Sequence, residues 1–303
     1  MKRAMSIREV ANRAQVSTAT VSRTINNSAL VDPETAARVW RAVEELGYFP
    51  DTQARALVSG RSRILGLIVS DITNPFFPEL MRGFEDVAVR QGYEILVSST
   101  NYDCQRMELC VRRMLERKVD GIAIMTSERD APLIEQLSRR RIPIAFLDVG
   151  PARKHTRNIE VDYAQGTDQA LGPPMSLGHR HIAFISGPAE LPSAQLRRAA
   201  FLAHLSRNGI VEDENLVVAG DHTVDGGLTA MDRLLRLQPH PTAVLASNDL
   251  TAIGALRTVH RAGMRVPDDI SIVGVDDIHL AEFTEPPLTT VRLPRSELAE
   301  RAV

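Results

Sequence analysis

Cysteine is almost missing from this chain: Cys104 and Cys110 are the only two among 303 residues. They stand six apart in an expected helix, a poor placement for a disulfide. They form neither a C-x-x-C pair nor a zinc-ligand spacing, so no metal is expected and both read as reduced thiols. No run of about 18 apolar residues occurs, which excludes an expected membrane span. The start M-K-R-A-M-S leads into a charged amphipathic segment and not into the apolar core of an export signal, so a cytoplasmic home is the simplest expectation. Also lacking are the phosphate loop G-x-x-x-x-G-K-[ST], the dinucleotide turn G-x-G-x-x-G, the nucleophile elbow G-x-S-x-G and the zinc-protease pair H-E-x-x-H. Neither a cofactor nor an enzymatic activity is expected.

Net charge is only −2, with 36 Lys+Arg against 38 Asp+Glu, but the balance is uneven. Residues 1–63 hold ten Lys+Arg and six Asp+Glu, a net of +4, which leaves −6 for the rest. A basic head on an acidic body suits a protein that meets phosphate at one end.

The head carries the sharpest pattern. Ile7, Val10, Ala11 and Ala14 recur at helical spacing and give a first helix one apolar face. Val16 lies in the following turn. Ser17 is a good N-cap for a second helix, in which Val21 and Ile25 point inward. Thr18, Ala19, Ser22, Arg23 and Asn26 are left outside. This is the arrangement of a helix-turn-helix whose second helix enters the DNA major groove. Arg23 can donate two hydrogen bonds to guanine, worth roughly 1–3 kcal/mol of discrimination, so it is the expected base reader. Thr18 and Ala19 suit a base edge or a thymine methyl, and Asn26 suits phosphate. The alternative is an ordinary helical hairpin with a solvated face. A third helix follows Asp32-Pro33 and ends at Gly47. Its apolar stripe is Ala36, Val39, Trp40, Val43 and Leu46, with the single tryptophan expected in the small core.

From Ile64 short apolar runs alternate with amphipathic helices. Strands are expected at Leu65–Ser70, Ile95–Ser99, Gly121–Met125, Ile144–Leu147, His181–Ile185, Leu216–Ala219, Ala243–Ala246 and Ile270–Val275. Helices are expected at Pro78–Arg90, Cys104–Arg117, Leu133–Arg140, Gln195–Asn208, Gly227–Leu235 and Leu250–Ala262. The alternation predicts an α/β body with parallel sheets covered on both faces. There are too many strands for one small sheet, and Ile159–Tyr163 reads as a crossing point. Two similar lobes with a ligand cleft at the carboxyl ends of their strands follow. Three parts are expected: a helix-turn-helix domain over 1–50, a hinge helix and linker over 51–63, and an effector-binding and dimerisation domain over 64–303. The linker reads either as a plain tether or as a short helix formed on DNA, with Leu57 as a minor-groove wedge.

The head motif V-A-N-R-A-Q-V-S-T-A-T-V-S-R-T-I-N is followed by E-E-L-G-Y-F-P and A-R-A-L. Further on come I-L-G-L-I-V-S-D-I-T-N-P-F-F, K-V-D-G-I, L-G-H-R-H-I-A-F-I-S-G-P, H-P-T-A-V-L-A-S-N-D, R-V-P-D-D-I-S-I-V-G-V-D-D and P-P-L-T-T-V. In that order and over nearly the whole chain they resemble the lactose-repressor/galactose-repressor family of bacterial transcription regulators. The resemblance implies an all-α helix-turn-helix head on a two-lobed periplasmic-binding-protein-like body. It implies a homodimer, with a tetramer also open, on double-stranded palindromic operator DNA, and a small-molecule effector such as a sugar or sugar derivative. It implies Thr18, Ala19 and Arg23 in the major groove, Asn26 at phosphate, and Ala54, Arg55 and Leu57 in the hinge helix. The effector cleft takes Phe76, Phe77, Asp148, Arg197, His222, Asn248 and Asp276. Such a set suits a sugar, which offers hydroxyl pairs and weakly apolar ring faces. From the residues alone, Phe76 and Phe77 also read as core, Arg197 as a surface helix charge, Asp276 or Asp277 as a loop cap, and Asn248 as a helix cap.

The chain departs from the family pattern in places. Leu191 stands where purine-binding members place an arginine, which argues against a purine. Tyr163 follows Asp162 where Asn is common, and His222 stands where a larger aromatic is frequent. The prolines of A-L-G-P-P-M, residues 170–175, are expected to shorten or kink a helix. Val303 falls inside a helix beginning near Arg295, which the resemblance reads as a C-terminal truncation.

Overall fold

The computed structural model describes residues 5–26, 30–50, 60–126, 137, 140–148 and 154–303. The chain divides into two compact units at Ser62–Arg63. The expected hinge residues Ala54, Arg55 and Leu57, and most of the expected helix Leu133–Arg140, lie outside the described residues.

The first unit is three capped helices: α1 (Ile7–Ala14), α2 (Thr18–Ile25) and α3 (Pro33–Leu46). Ser6 and Glu9 form a capping box at the start of α1. The Ser17 hydroxyl accepts from Thr20 N at 3.1 Å, and Asp32 Oδ1 accepts from Glu34 N and Thr35 N, so orphan N–H groups at both later helix starts are satisfied. Gly47 stops α3 at φ 57°, a conformation glycine adopts without penalty. Val10, Ala11, Ala14, Val21, Val39 and Ala42 are the core. Trp40 is not in it: the ring is 41% exposed. One residue past Val39 is a 100° turn of the helix, which carries Trp40 off the face that Val39, Ala42 and Leu46 bury.

The second unit holds two five-stranded sheets, all parallel. The first lobe has β1 (Ile64–Val69), α4 (Phe76–Arg90), β2 (Glu94–Ser99), α5 (Cys104–Glu116), β3 (Gly121–Met125), β4 (Ile144–Leu147) and β5 (Thr156–Ile159). The second has α6 (Tyr163–Ser176), β6 (Ile182–Ser186), α7 (Pro192–Arg207), β7 (Val217–Ala219), α8 (Val224–Leu235), β8 (Ala243–Ala246), α9 (Asp249–Arg261), β9 (Ser271–Asp276) and β10 (Thr289–Arg292). Strand orders are β2-β1-β3-β4-β5 and β10-β9-β8-β6-β7. Both are the same doubly wound order, so each lobe has a switch point beside its first strand, where crevices open at the carboxyl ends.

Strands β5 and β10 were not foreseen. β5 reads T-R-N-I and exposes Arg157 and Asn158, and β10 is largely polar, so neither carries the apolar run of a buried parallel strand. Each lies at the edge of its sheet, where such sequences are tolerated. α6 runs through Pro173 and Pro174, so the expected shortening does not occur. The prolines fall in the last turn, and beyond them Leu177 N–H bonds to the carbonyl of Pro173 at 3.1 Å. Cys104 is exposed, Cys110 buried, and both are free thiols.

The chain passes between lobes after β5 and again after β10. α10 (Arg295–Ala302) returns to the first lobe and packs Leu298 and Ala299 with Leu80 and Phe84 of α4. Ile278 and Ala281, following β9, enter the same apolar cluster. The lobes thus share a core at the base of the cleft.

Candidate DNA-reading face and effector cleft

On α2 the two faces separate cleanly. Val21 and Thr24 are buried, while Thr18, Ala19, Arg23 and Asn26 are exposed and Ser22 is half-buried. Thr24 hides its hydroxyl by donating to Thr20 O at 3.0 Å. The five side chains expected at DNA therefore share the face that the head does not use for its own packing.

In the body, all seven residues expected at the effector line one cleft of about 580 Å³, counting its open mouth. Its lining comes from the carboxyl ends of strands in both lobes. Phe76 and Phe77 begin α4 after β1, with ring centroids 5.3 Å apart and planes at 77°. Asn74 holds that start by accepting from Phe76 N at 3.1 Å. Asp148 follows β4, His222 follows β7, Asn248 follows β8 and Asp276 ends β9. Asp148, His222 and Asp276 all have positive φ, at 65°, 65° and 121°. Non-glycine residues seldom sit there. Each is a sharp turn at a strand end, a kind of local strain that concentrates at ligand sites.

Arg197 on α7 is the centre of the charge network. One guanidinium nitrogen, Nη1, donates to the carbonyl of Ser247, and the other, Nη2, lies 3.7 Å from Asp276 Oδ1. Its plane covers the Tyr163 ring, 5.2 Å from the centroid. Tyr163 in turn donates its hydroxyl to Asp148 Oδ2 at 2.7 Å. Burial works against the charge on Arg197, but Tyr163, Asp276 and Asp148 more than offset it and hold its pKa above the ordinary value. Burial pushes the Asp276 carboxyl up to about 8 against the pull of Arg197, with Asp249 adding repulsion. Burial, and then the Arg197 charge, push the His222 imidazole down to about 3, so it is neutral at pH 7. Its Nε2 and the Arg197 Nε are buried with no hydrogen-bond partner among the described residues, an uncommon state for buried polar atoms.

Two of the open readings are resolved by geometry. Arg197 is no surface charge, with a side chain only 14% exposed. Asn248 is a helix cap as well as a cleft residue: Oδ1 accepts from Thr251 N at 2.9 Å, and Nδ2 donates to His222 O at 3.0 Å. Phe76 and Phe77 are also core, being buried among Leu80, Phe84 and Leu293.

The profile described as "Bacterial regulatory proteins, lacI family" matches residues 6–51, and that of a "Periplasmic binding protein-like domain" matches 175–303. The ribose operon repressor of Escherichia coli (strain K12) is 35% identical over 299 residues, 98% of this chain and 91% of the relative. The chain belongs to the lacI family of bacterial regulatory proteins. As a lacI-family member it is a DNA-binding transcriptional regulator. The HTH-type transcriptional repressor PurR of Aliivibrio salmonicida (strain LFI1238) is 33% identical, over 98% of this chain and 90% of the relative. A crystal structure of the Lac repressor dimer bound to operator and the anti-inducer ONPF superposes with a TM-score of 0.88 at 29% identity, covering 99% of this chain and 91% of that one. The two-lobed body is therefore the lacI-family body, and among the described residues no helix is long and apolar enough to cross a membrane.

Sequence reasoning passed over several lining residues. Asn74, Tyr102, Thr126, Tyr163, Leu191 and Ser193 all face the cleft. Asn74 was legible, since an Asn before Pro75 at a strand end signals a capped turn. Tyr163 was noticed only as a departure. Its role depends on Arg197 and Asp148, which stand 34 and 15 positions away in sequence, and no local pattern reports such a meeting.

Proposed function

We propose that this protein is a transcriptional repressor that binds a palindromic operator as a homodimer and is controlled by a small polyhydroxylated molecule, a sugar or sugar derivative, held in the cleft. Arg23 reads a base, Thr18, Ala19 and Ser22 complete the groove contact, and Asn26 meets phosphate. Ala54, Arg55 and Leu57 serve the hinge. The cleft residues Phe76, Phe77, Asp148, Arg197, His222, Asn248 and Asp276 hold the effector.

What carries the effector assignment is the convergence of Arg197 from one lobe's helix with Asp276 and Asp148, one from each sheet, around a single buried space. Ligand hydroxyls can donate to the carboxylates and accept from the Arg197 Nε, while Phe76 offers a ring face. Because the lining comes from two lobes, occupancy favours one lobe angle. Coupling to DNA is limited to the ligand's differential affinity for the two arrangements, typically about 1–3 kcal/mol. The relatives named for ribose and for purine regulation both fit this layout. The buried, apolar Leu191 on the lining favours the sugar over the purine, since it offers no hydrogen bond to a base edge.

The test is anisotropy of palindromic duplexes from the protein's own upstream region, titrated with salt and with sugars. Salt-sensitive, sequence-selective binding that a sugar shifts is expected. Asp276→Ala is expected to abolish the shift and to spare operator binding by the free protein. Absence of selective binding to any such duplex overturns the reading.

A further inference from the structure

The charges of the cleft can be followed one by one. Among its described lining residues there is one guanidinium, Arg197, and there are two carboxyl groups, Asp148 and Asp276. The imidazole of His222 is neutral at pH 7. With Asp276 ionised the lining is net negative, and with it protonated the lining is neutral. In neither state is it positive.

The guanidinium is also committed. Phosphate and carboxylate ligands are gripped by an open Arg fork or by several convergent N–H groups. Here Nη1 serves the Ser247 carbonyl, Nη2 faces Asp276, and the plane lies on Tyr163. Only the Nε edge lacks a partner among the described residues. Helix starts are the other common anion sites, and those around this cleft are occupied. Asn74 takes Phe76 N, Asp162 takes Gln165 N at 2.8 Å, and Asn248 takes Thr251 N. α7 opens on Pro192, which has no N–H to give.

We propose that the cleft selects an uncharged polyol and rejects the phosphorylated or acidic form of the same sugar. This rests on the assignment of the cleft as the effector site. A neutral sugar finds acceptors on Asp148 and Asp276 and a donor at Arg197 Nε. A phosphate would have to shed its water beside two carboxyl groups with no free cation to receive it, and like charges brought together cost several kcal/mol. Because Asp276 becomes more ionised above neutrality, the discrimination widens from pH 7 to pH 9.

The experiment is calorimetry on the full chain with D-ribose, D-glucose and D-galactose, each beside its anionic counterpart: ribose 5-phosphate, glucose 6-phosphate and galacturonate. At least one neutral sugar is expected to bind, and its counterpart at least about 100-fold more weakly, the scale set by like-charge repulsion. Asp148→Asn keeps an acceptor for Tyr163, tolerates the positive φ and removes one charge, so it is expected to narrow that gap about tenfold. Binding of the neutral sugar by this variant reports that the cleft is still formed. An anionic sugar that binds as tightly as its neutral form, and loses binding in Asp276→Ala, leaves the cleft assignment standing and overturns the charge selection. Silence from every neutral and anionic sugar overturns both.

Discussion

His222 sits where Gly187 leaves room for it. A Cβ built on Gly187 would lie 2.0 Å from His222 Nε2 and 2.3 Å from Cε1, so any side chain there must expel the ring. Gly187→Ala is therefore expected to weaken effector binding about tenfold or more, a loss of about 1.4 kcal/mol or more, with operator binding by the free protein unchanged. Calorimetry and anisotropy on the same sample check it. His222→Ala combined with Gly187→Ala removes the collision, so the pair is expected to lose no more than His222→Ala alone. On the head, Arg23 and Asn26 lie on the same exposed face but are expected to fail differently. Arg23→Ala should relax preference at one operator base pair by roughly 1–3 kcal/mol. Asn26→Ala should weaken binding evenly across sequences. A panel of single-base operator variants separates the two, and unchanged preference in Arg23→Ala would remove it as the reader.

Helices α8 and α9 meet backbone to backbone. A Cβ on Gly254 would lie 2.1 Å from the Val224 carbonyl oxygen, and one on Gly227 would lie 2.1 Å from that of Thr251. Neither neighbour is a flexible side-chain end, so the helices must separate to admit a methyl group. Gly254→Ala is expected to cost about 3 kcal/mol or more, at the upper end for overpacking, read by urea unfolding of the full chain. The contact matters for the site because Thr223 and Asn248, which cap these helices, flank His222 and the cleft floor. The same scale explains the helix starts that sequence placed late. Helix α8 begins at Val224 and not Gly227, and α9 at Asp249, because Thr223 and Asn248 already satisfy the first N–H groups. Apolar periodicity marks where a helix buries a face and is silent about the polar turn before it.

For the molecule as a whole, the buried acids set a pH slope. Asp249 is pushed up to about 6 by burial, against its bonds from Thr290 and Ile278 N, and Asp276 to about 8. An unfolded carboxyl titrates near 4. Below that pH both states hold these protons and stability is unaffected. As pH rises from about 4 to about 8 the unfolded chain releases protons that the native body keeps, so these two groups make the body less stable with rising pH. Asp276→Asn abolishes its share. Relative to the parent, its melting temperature is expected to rise by about 2–4 °C or more between pH 5 and pH 8.5, the shift that about 1 kcal/mol gives in a domain of this size. Melting curves of both proteins across that range decide it, and parallel curves would show that Asp276 carries no raised pKa.

The order of elements, the parallel lobes, the reading helix and the seven cleft residues were all legible in the chain. Helical period, buried strands and N-cap chemistry are local properties, and family motifs mark positions along a line. Tertiary structure alone decided the rest. It turned Trp40 outward, because one residue of helical phase separates a core position from a surface one. It drew the polar segments T-R-N-I and T-T-V-R into sheet edges, where pairing on one side outweighs poor apolar content. It also locked Arg197 between Asp276, Tyr163 and the Ser247 carbonyl. Those partners are brought close only when two lobes close on one space, and at that distance burial, and not residue identity, fixes which groups carry charge.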